Sequence, residues 1–215
     1  MLRIEKPLLQ HPFYRDWMEG KLKWETLRNY AEQYYAHVEA FPSYLKSAIQ
    51  LCPHVHTRAI LEENLAEENG TTYGVAHPEL WLRFAEGLGC SREVVMCARK
   101  RNAIQNVVST FYRLTQGSLP KALGAIYAYE AQVPEVAASK IEGLRRHFRL
   151  LDERSLSFFE VHRHADVAHR QALGEILEGF SADERREAQE AADEAGQALW
   201  DFLTDAHEPP GQRSA

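Results

Sequence analysis

The stretch WETLRNYAEQYYAHVEA, from Trp24 to Ala40, decides the fold class of this chain. Its large apolar and aromatic side chains recur three or four positions apart, which is the repeat of one face of an α-helix. They are Leu27, Tyr30, Ala31, Tyr34, Tyr35 and Val38. Nowhere does the chain alternate β-branched or aromatic residues with polar ones for more than a few positions, so no strand is predicted. The sequence therefore predicts an all-α protein.

Proline and glycine divide the rest of the chain into further helices. Pro42 is expected to break or kink the helix that starts at Trp24, with a short helix continuing to Leu51. Later helices are predicted over about 55–69, 78–88, from 91, over 102–115, over 120–148 with an interruption or a bend at Pro134, over 152–180 and over 181–203. The predicted architecture is a bundle of seven to nine helices.

Length and composition place the chain among ordinary globular proteins. Its 215 residues suffice for one well-buried core, so we expect a single domain over residues 1–205 and a disordered tail over 206–215. The formal net charge of -6 argues against nucleic acid as a partner, and no apolar run is long enough to span a membrane. Three cysteines without CxxC spacing fit a reducing compartment, so a cytoplasmic location is expected.

The segment FFEVHRHADVAH, from Phe158 to His169, is the most informative for chemistry. His162, Asp166 and His169 are spaced i, i+4 and i+7, so they project from one face of a helix, where a metal ion could collect them. His164 lies about 160° round the helix from its neighbours in this set and should point elsewhere. The competing interpretation is a polar, solvated stripe.

Two further acidic positions lie among apolar residues. Glu130 is the only ionisable carboxylate in the apolar run from Leu123 to Val133, and a buried carboxylate needs a partner. Glu68 shares a helix face with apolar residues and is followed by His77 at the start of the next helix. Each could instead be a surface or capping residue. Taken together, three carboxylates and three imidazoles could hold two divalent first-row ions in a helix bundle: Glu68, His77, Glu130, His162, Asp166 and His169.

Several tyrosines lie on apolar helix faces and are expected to be core residues: Tyr14, Tyr30, Tyr34, Tyr35, Tyr127 and Tyr129. Lys140 follows Glu130 by ten residues on the same predicted helix. On its position alone, Lys140 is expected to be a solvated surface residue.

These segments, in this order, resemble those of a known family. The marks are HPFYRDW, LRNYAEQYYAHVEAFPSYL, NLAEENG, HPELWLRFAEGLG, YAYEAQVPEVAASKIEGL and FFEVHRHADVAHR. The chain is similar over nearly its whole length to the Chlamydia protein associating with death domains and its bacterial relatives. These are heme-oxygenase-like dimetal oxidases, related to the pyrroloquinoline-quinone synthase and thiaminase II groups. The resemblance implies a heme-oxygenase-like seven-helix bundle.

The resemblance also implies a dinuclear centre, with two iron ions or iron with manganese. The family's ligand pattern matches the six residues named above, although the loop before His77 is about two residues longer here, so Glu67 could replace Glu68. Similar members make 4-aminobenzoate for folate from one of their own tyrosines, using dioxygen and a reductant, with a lysine as the amino donor. The consumed tyrosine matches Tyr14, the lysine matches Lys140, and two further tyrosines of the pattern match Tyr30 and Tyr129.

Three functions therefore stay open at this point. The first is a self-sacrificing, single-turnover oxygenase that needs no external organic substrate. The second is a dimetal oxidase of an external small molecule, which predicts an open pocket. The third is a metal-free enzyme or binding protein that keeps the fold. A thiaminase-like reaction would need a cysteine paired with a base, and none is recognised near Cys52, Cys90 or Cys97. A homodimer is also possible.

Overall fold

The computed structural model describes residues 2–71 and 74–207, and of residues 164–167 it describes the helical backbone alone. Every element in those ranges is helical, which confirms the all-α prediction. A short 3-10 helix (Leu8–Gln10) is followed by α1 (Pro12–Met18), α2 (Trp24–Leu51), α3 (Val55–Glu68), α4 (His77–Gly87), α5 (Arg92–Cys97), α6 (Asn102–Thr115), α7 (Leu119–Glu130), α8 (Val133–His147), α9 (Glu153–Glu178) and α10 (Ala182–His207). None of the described helices has the length and apolar character needed to cross a bilayer.

Local signals place most helix starts. The Ser91 hydroxyl accepts the Val94 N–H at the start of α5, and the Asp152 carboxylate accepts the Ser155 N–H at the start of α9. Before α10, Ser181 and Glu184 form a reciprocal capping pair, in which each side chain accepts the other residue's backbone N–H. These contacts satisfy N–H groups that a helix cannot satisfy internally.

The predictions made for Pro42 and Pro134 had different outcomes. The predicted break at Pro42 is wrong, because α2 runs through it from Trp24 to Leu51. Buried residues lie on both sides of this proline, and their packing holds the two halves in one helix. The predicted interruption at Pro134 is confirmed: residues 120–148 form two helices, and Pro134 lies in the first turn of the second, α8. The described chain thus has ten α-helices rather than seven to nine.

The most extensive helix contact joins α7 and α10, and α9 packs against α4, α7 and α8. α7 is buried along nearly its whole length, so its C-terminal residue, Glu130, lies inside the protein. The predicted tail began at residue 206, but Ala206 and His207 belong to α10. The rest of that prediction, residues 208–215, lies outside the described residues.

Candidate metal centre

The ends of three helices meet the middle of a fourth at one place in the bundle. Glu67 and Glu68 end α3, His77 begins α4, and Glu130 ends α7. All three helices contact α9. Gly70 makes the turn possible, because its φ is +72° and a Cβ there would lie 2.3 Å from the Ala76 backbone nitrogen. The chain therefore returns from α3 so that α4 starts beside the end of α3.

One group of donor atoms lies between α3, α4 and α9. Glu68 Oε1 is 2.9 Å from His77 Nδ1 and 4.0 Å from His162 Nε2. All three side chains are buried, and one ligand atom from each lies within 4.8 Å of the others. Two ligands bonded at about 2.1 Å to one first-row ion are themselves roughly 3–4 Å apart. A carboxylate with two imidazoles at this spacing therefore fits a divalent ion such as iron or manganese.

A backbone contact orients His162 within this group. Its Nδ1 lies 2.7 Å from the Phe158 carbonyl oxygen, which can only accept a hydrogen bond. We infer that Nδ1 carries the proton, so that the lone pair is on Nε2, the nitrogen that faces Glu68. Ligand histidines in metalloproteins are commonly held in this way.

A second group of donors lies at the ends of α3 and α7. His169 Nδ1 is 3.9 Å from Glu130 Oε2, and His169 Nε2 is 3.4 Å from Glu67 Oε2. The Asn64 amide donates a hydrogen bond of 2.5 Å to the other oxygen of Glu130. The structure thus brings Glu130 and His169 together, as the sequence predicted. The predicted ligand Asp166 lies outside the described side chains.

Both adjacent glutamates of α3 are buried beside a predicted histidine ligand. The sequence posed Glu67 and Glu68 as alternatives, but the structure places Glu68 with His77 and His162, and Glu67 with His169. Sequence reasoning did not identify Asn64 as a partner of Glu130. Its position four residues before Glu68, on the same helix face, is the signal that could have found it.

The prediction of a solvated surface lysine is wrong for Lys140. This side chain is only 4% exposed, and its Nζ lies 4.9 to 5.9 Å from the centroids of six aromatic rings. The rings belong to Tyr14, Trp17, Tyr30, Tyr34, Trp81 and Phe159. They come from α1, α2, α4 and α9, and the spacing of Lys140 from Val136, Ala137 and Leu144 places it on the buried face of its own helix.

Burial changes the chemistry of this cluster. It lowers the pKa of the Lys140 amine from 10.5 to about 7, because the charged form loses its hydration. The same loss raises the pKa of the Tyr14 and Tyr30 hydroxyls. Lys140 Nζ lies 2.6 Å from the Tyr30 hydroxyl, which also hydrogen-bonds with the Tyr14 hydroxyl. A neutral amine is therefore accessible near pH 7 beside protonated phenols.

A small cavity is lined by residues of the lysine cluster and by one predicted metal ligand, His162. It has room for about 20 Å³, roughly one water molecule. Polar groups that line it are Tyr14, Tyr34, Tyr129, Lys140 and His162. Tyr34, which sequence analysis placed only in the core, also hydrogen-bonds with Tyr129. Tyr14, Tyr129 and Lys140 thus share one cavity with the predicted metal ligand His162, and Tyr30 contacts Lys140 beside it.

The cysteines do not form a nucleophilic site of the thiaminase kind. All three are free thiols, and Cys97 is exposed. Cys90 Sγ lies 3.8 Å from the Glu32 carboxylate, but burial raises the pKa of this thiol to about 11. A thiol that stays protonated at neutral pH is a poor nucleophile.

Comparison with known proteins agrees with this arrangement. The profile of a family described as iron-containing redox enzymes matches residues 28–201. The chain is 38% identical to a 4-aminobenzoate synthase from Nitrosomonas europaea, over 94% of this chain and 86% of that protein. It is 37% identical to a 4-aminobenzoate synthase from Chlamydia muridarum, over 95% of this chain and 86% of that protein.

A solved structure supports the fold assignment. A Shewanella denitrificans domain of unknown function with a heme-oxygenase-like fold superposes with a TM-score of 0.76 at 18% identity. The match covers 93% of this chain and 84% of that one. At this level of identity the likeness shows the fold alone, and it confirms the predicted heme-oxygenase-like architecture.

Proposed function

The chain belongs to the iron-containing redox enzymes of heme-oxygenase-like fold, in the group of the 4-aminobenzoate synthases, and from this premise we propose that it makes 4-aminobenzoate from its own Tyr14, with Lys140 as the amino donor. Dioxygen and an external reductant are the co-substrates. The observation that carries the proposal is the shared cavity, where Tyr14 and Lys140 lie with His162.

The residues fit a pair of divalent metal ions, iron with iron or iron with manganese. Such ions, when bound, would activate dioxygen for oxidation of an electron-rich phenol. The ligands we propose are Glu68, His77, Glu130, His162, Asp166 and His169. The donor set supports this assignment, because buried carboxylates converge with imidazoles at distances that suit a shared ion.

The chemistry of the product matches a tyrosine side chain. The aromatic ring and Cβ of Tyr14 supply the carbon skeleton once the Cα–Cβ bond is cut, and Cβ becomes the carboxylate carbon. The phenolic oxygen must be replaced by nitrogen: the Lys140 amine condenses with the oxidised ring carbon, the oxygen leaves as water, and hydrolysis of the imine after a proton shift breaks the Cε–Nζ bond and leaves an aldehyde at Cε. Lys140 holds its Nζ 5.5 Å from the Tyr14 ring centroid, and its lowered pKa supplies the neutral amine that can attack an oxidised ring. The surrounding aromatic rings exclude bulk water from both groups.

The size of the cavity favours an internal substrate over an external one. Room for about 20 Å³ accommodates a water or dioxygen molecule, whereas pockets for organic ligands usually hold at least about 300 Å³. A larger surface groove between α2 and α6 shares no lining residue with the metal centre. As lined by the described residues, this cavity is too small for the organic substrate that an oxidase of an external small molecule would need.

The proposal is tested by counting product molecules per chain. Metal-loaded protein given dioxygen and reductant should yield at most one 4-aminobenzoate per chain, and Tyr14→Phe should yield none. Tyr44→Phe is the matched control, because the Tyr44 hydroxyl is buried elsewhere and has no hydrogen-bond partner among the described residues. It should give the wild-type yield. Protein carrying ring-labelled tyrosine should release labelled product.

Two results would overturn the proposal. Yields of many molecules per chain would show an external substrate. Undiminished product from Tyr14→Phe, detected by liquid chromatography with mass spectrometry, would show that another source supplies the ring.

A further inference from the structure

Two consecutive glutamates at the end of α3 are both buried. Successive helix residues point about 100° apart, so burying Glu67 and Glu68 together requires a polar partner on each of two sides. Glu68 finds His77 and His162. Glu67 points to His169, with 3.4 Å between Oε2 and Nε2. The six-ligand pattern of the sequence uses one of these glutamates and leaves the other without a role.

Glu67 has a buried oxygen that no described residue satisfies. Its side chain is 8% exposed, and Oε2, the atom that faces His169, has no hydrogen-bond partner in the part of the chain that the structure describes. Buried carboxylate oxygens are rarely left in this state, since the loss of hydration is costly. An N–H on His169 Nε2, brought slightly closer, would satisfy Oε2.

His169 lies between two carboxylates, one on each ring nitrogen. Nδ1 faces Glu130 at 3.9 Å, while Nε2 faces Glu67. An imidazole that binds a metal ion through one nitrogen keeps its proton on the other and commonly donates it to a carboxylate or a carbonyl. The two ring nitrogens of His162 are used in the same way. Nδ1 contacts the Phe158 carbonyl oxygen, and Nε2 faces Glu68.

We propose that Glu67 is the positioning carboxylate of His169. It accepts the Nε2–H of His169 and so leaves the Nδ1 lone pair facing Glu130 and the metal ion. This inference rests on the proposed function only in that it needs the metal centre. Two residues on one face of α3 then orient the ligands of the second metal ion. Asn64 donates a hydrogen bond to Glu130, and Glu67, three residues later, accepts one from His169.

The fourth carboxylate also changes the charge of the centre. Glu68, Glu130 and Asp166 leave one net positive charge on two divalent ions. Glu67 offsets that charge, so the buried centre as a whole is neutral, which stabilises bound cations away from water. Glu67 should therefore tighten metal binding without itself being a ligand.

The test separates metal affinity from metal stoichiometry. Mn²⁺ titrations followed by calorimetry compare wild type with Glu67→Met, which removes the acceptor, and Glu67→Gln, which keeps a carbonyl oxygen. We expect Glu67→Met to bind two ions at saturation but with 10- to 100-fold weaker affinity at one of them, the usual effect of losing such a partner. Glu67→Gln should recover part of the loss. Glu68→Met should instead bind fewer ions even at saturation.

Each alternative outcome contradicts the inference. Wild-type affinity in Glu67→Met would show that Glu67 does not act on His169. A lost ion at saturation, as in Glu68→Met, would make Glu67 a ligand. A wild type that binds no metal would overturn the proposed function as well, which distinguishes the two failures. Thermal unfolding of metal-free Glu67→Met is the folding control: a cooperative transition at a temperature above that of the titration shows that weak binding is not misfolding.

Discussion

The amine of Lys140 makes the stability of the protein depend on pH. Its pKa is about 7 in the folded protein and 10.5 in an exposed chain, so between these values the unfolded state binds more protons. Stability must therefore rise with pH across this window, by on the order of 1 kcal/mol per pH unit. Below pH 7 the folded protein carries the full cost of the buried charge.

Lys140→Met should remove this dependence. We expect the free energy of unfolding of wild type to rise relative to the variant between pH 7 and pH 9, because methionine keeps the apolar stem without a titrating group. Urea unfolding of metal-free protein at three pH values measures the difference. Parallel stability curves for the two proteins would mean that the Lys140 amine is hydrated in the folded state.

The burial of Lys140 could not be predicted from the residue type. Lysine is rarely buried, and the position of Lys140 in line with Val136 and Leu144 on one face of α8 did not outweigh that expectation. Its six aromatic neighbours come from four other helices, so only the packed bundle shows that its charge is removed from water. The resemblance to a known family singled the residue out, but could not give the physical reason.

At the scale of elements, two prolines have opposite effects on the helices that contain them. Pro42 and Pro134 each remove one backbone donor, yet α2 continues through the first and α8 starts at the second. The periodicity of α2 was predictable because its apolar face is long and regular. Whether a proline ends a helix depends on the packing of both flanks, which the local sequence does not contain.

The contact between α7 and α10 yields a prediction of its own. A Cβ on Gly124 would lie 2.1 Å from the Ala188 carbonyl oxygen, whereas a Cβ on Gly196 of α10 would meet nothing within 4 Å. Gly124→Ala should therefore force the two helices apart and destabilise the protein by roughly 1–3 kcal/mol. Gly196→Ala should stabilise it by up to about 1 kcal/mol, through helix propensity alone.

Thermal unfolding of the two variants measures both changes. They exchange the same residues, each within a helix, so the difference reports only on the space beside each glycine. Equal melting temperatures would contradict the close approach of α7 to α10.

At the scale of the whole molecule, the candidate metal centre joins helices that are distant in sequence. Helical spacing placed His162 and His169 on one face of α9, and the buried run of α7 marked Glu130. Helical spacing could not predict that the ends of α3, α4 and α7 meet beside α9. For this reason the sequence left Glu67 and Glu68 as alternatives, whereas the bundle buries both.

A centre that joins α3, α4, α7 and α9 should couple metal binding to the stability of the entire fold. Metal at 100 times its dissociation constant stabilises the native state by about 2.7 kcal/mol. For a chain of this size that corresponds to a rise in melting temperature of roughly 5–10 °C. Calorimetry with and without Mn²⁺ should show this rise in wild type and in Glu62→Gln, which changes an exposed glutamate of the same helix. Glu68→Gln should lose most of it. An equal rise in all three proteins would place the bound ions elsewhere on the molecule.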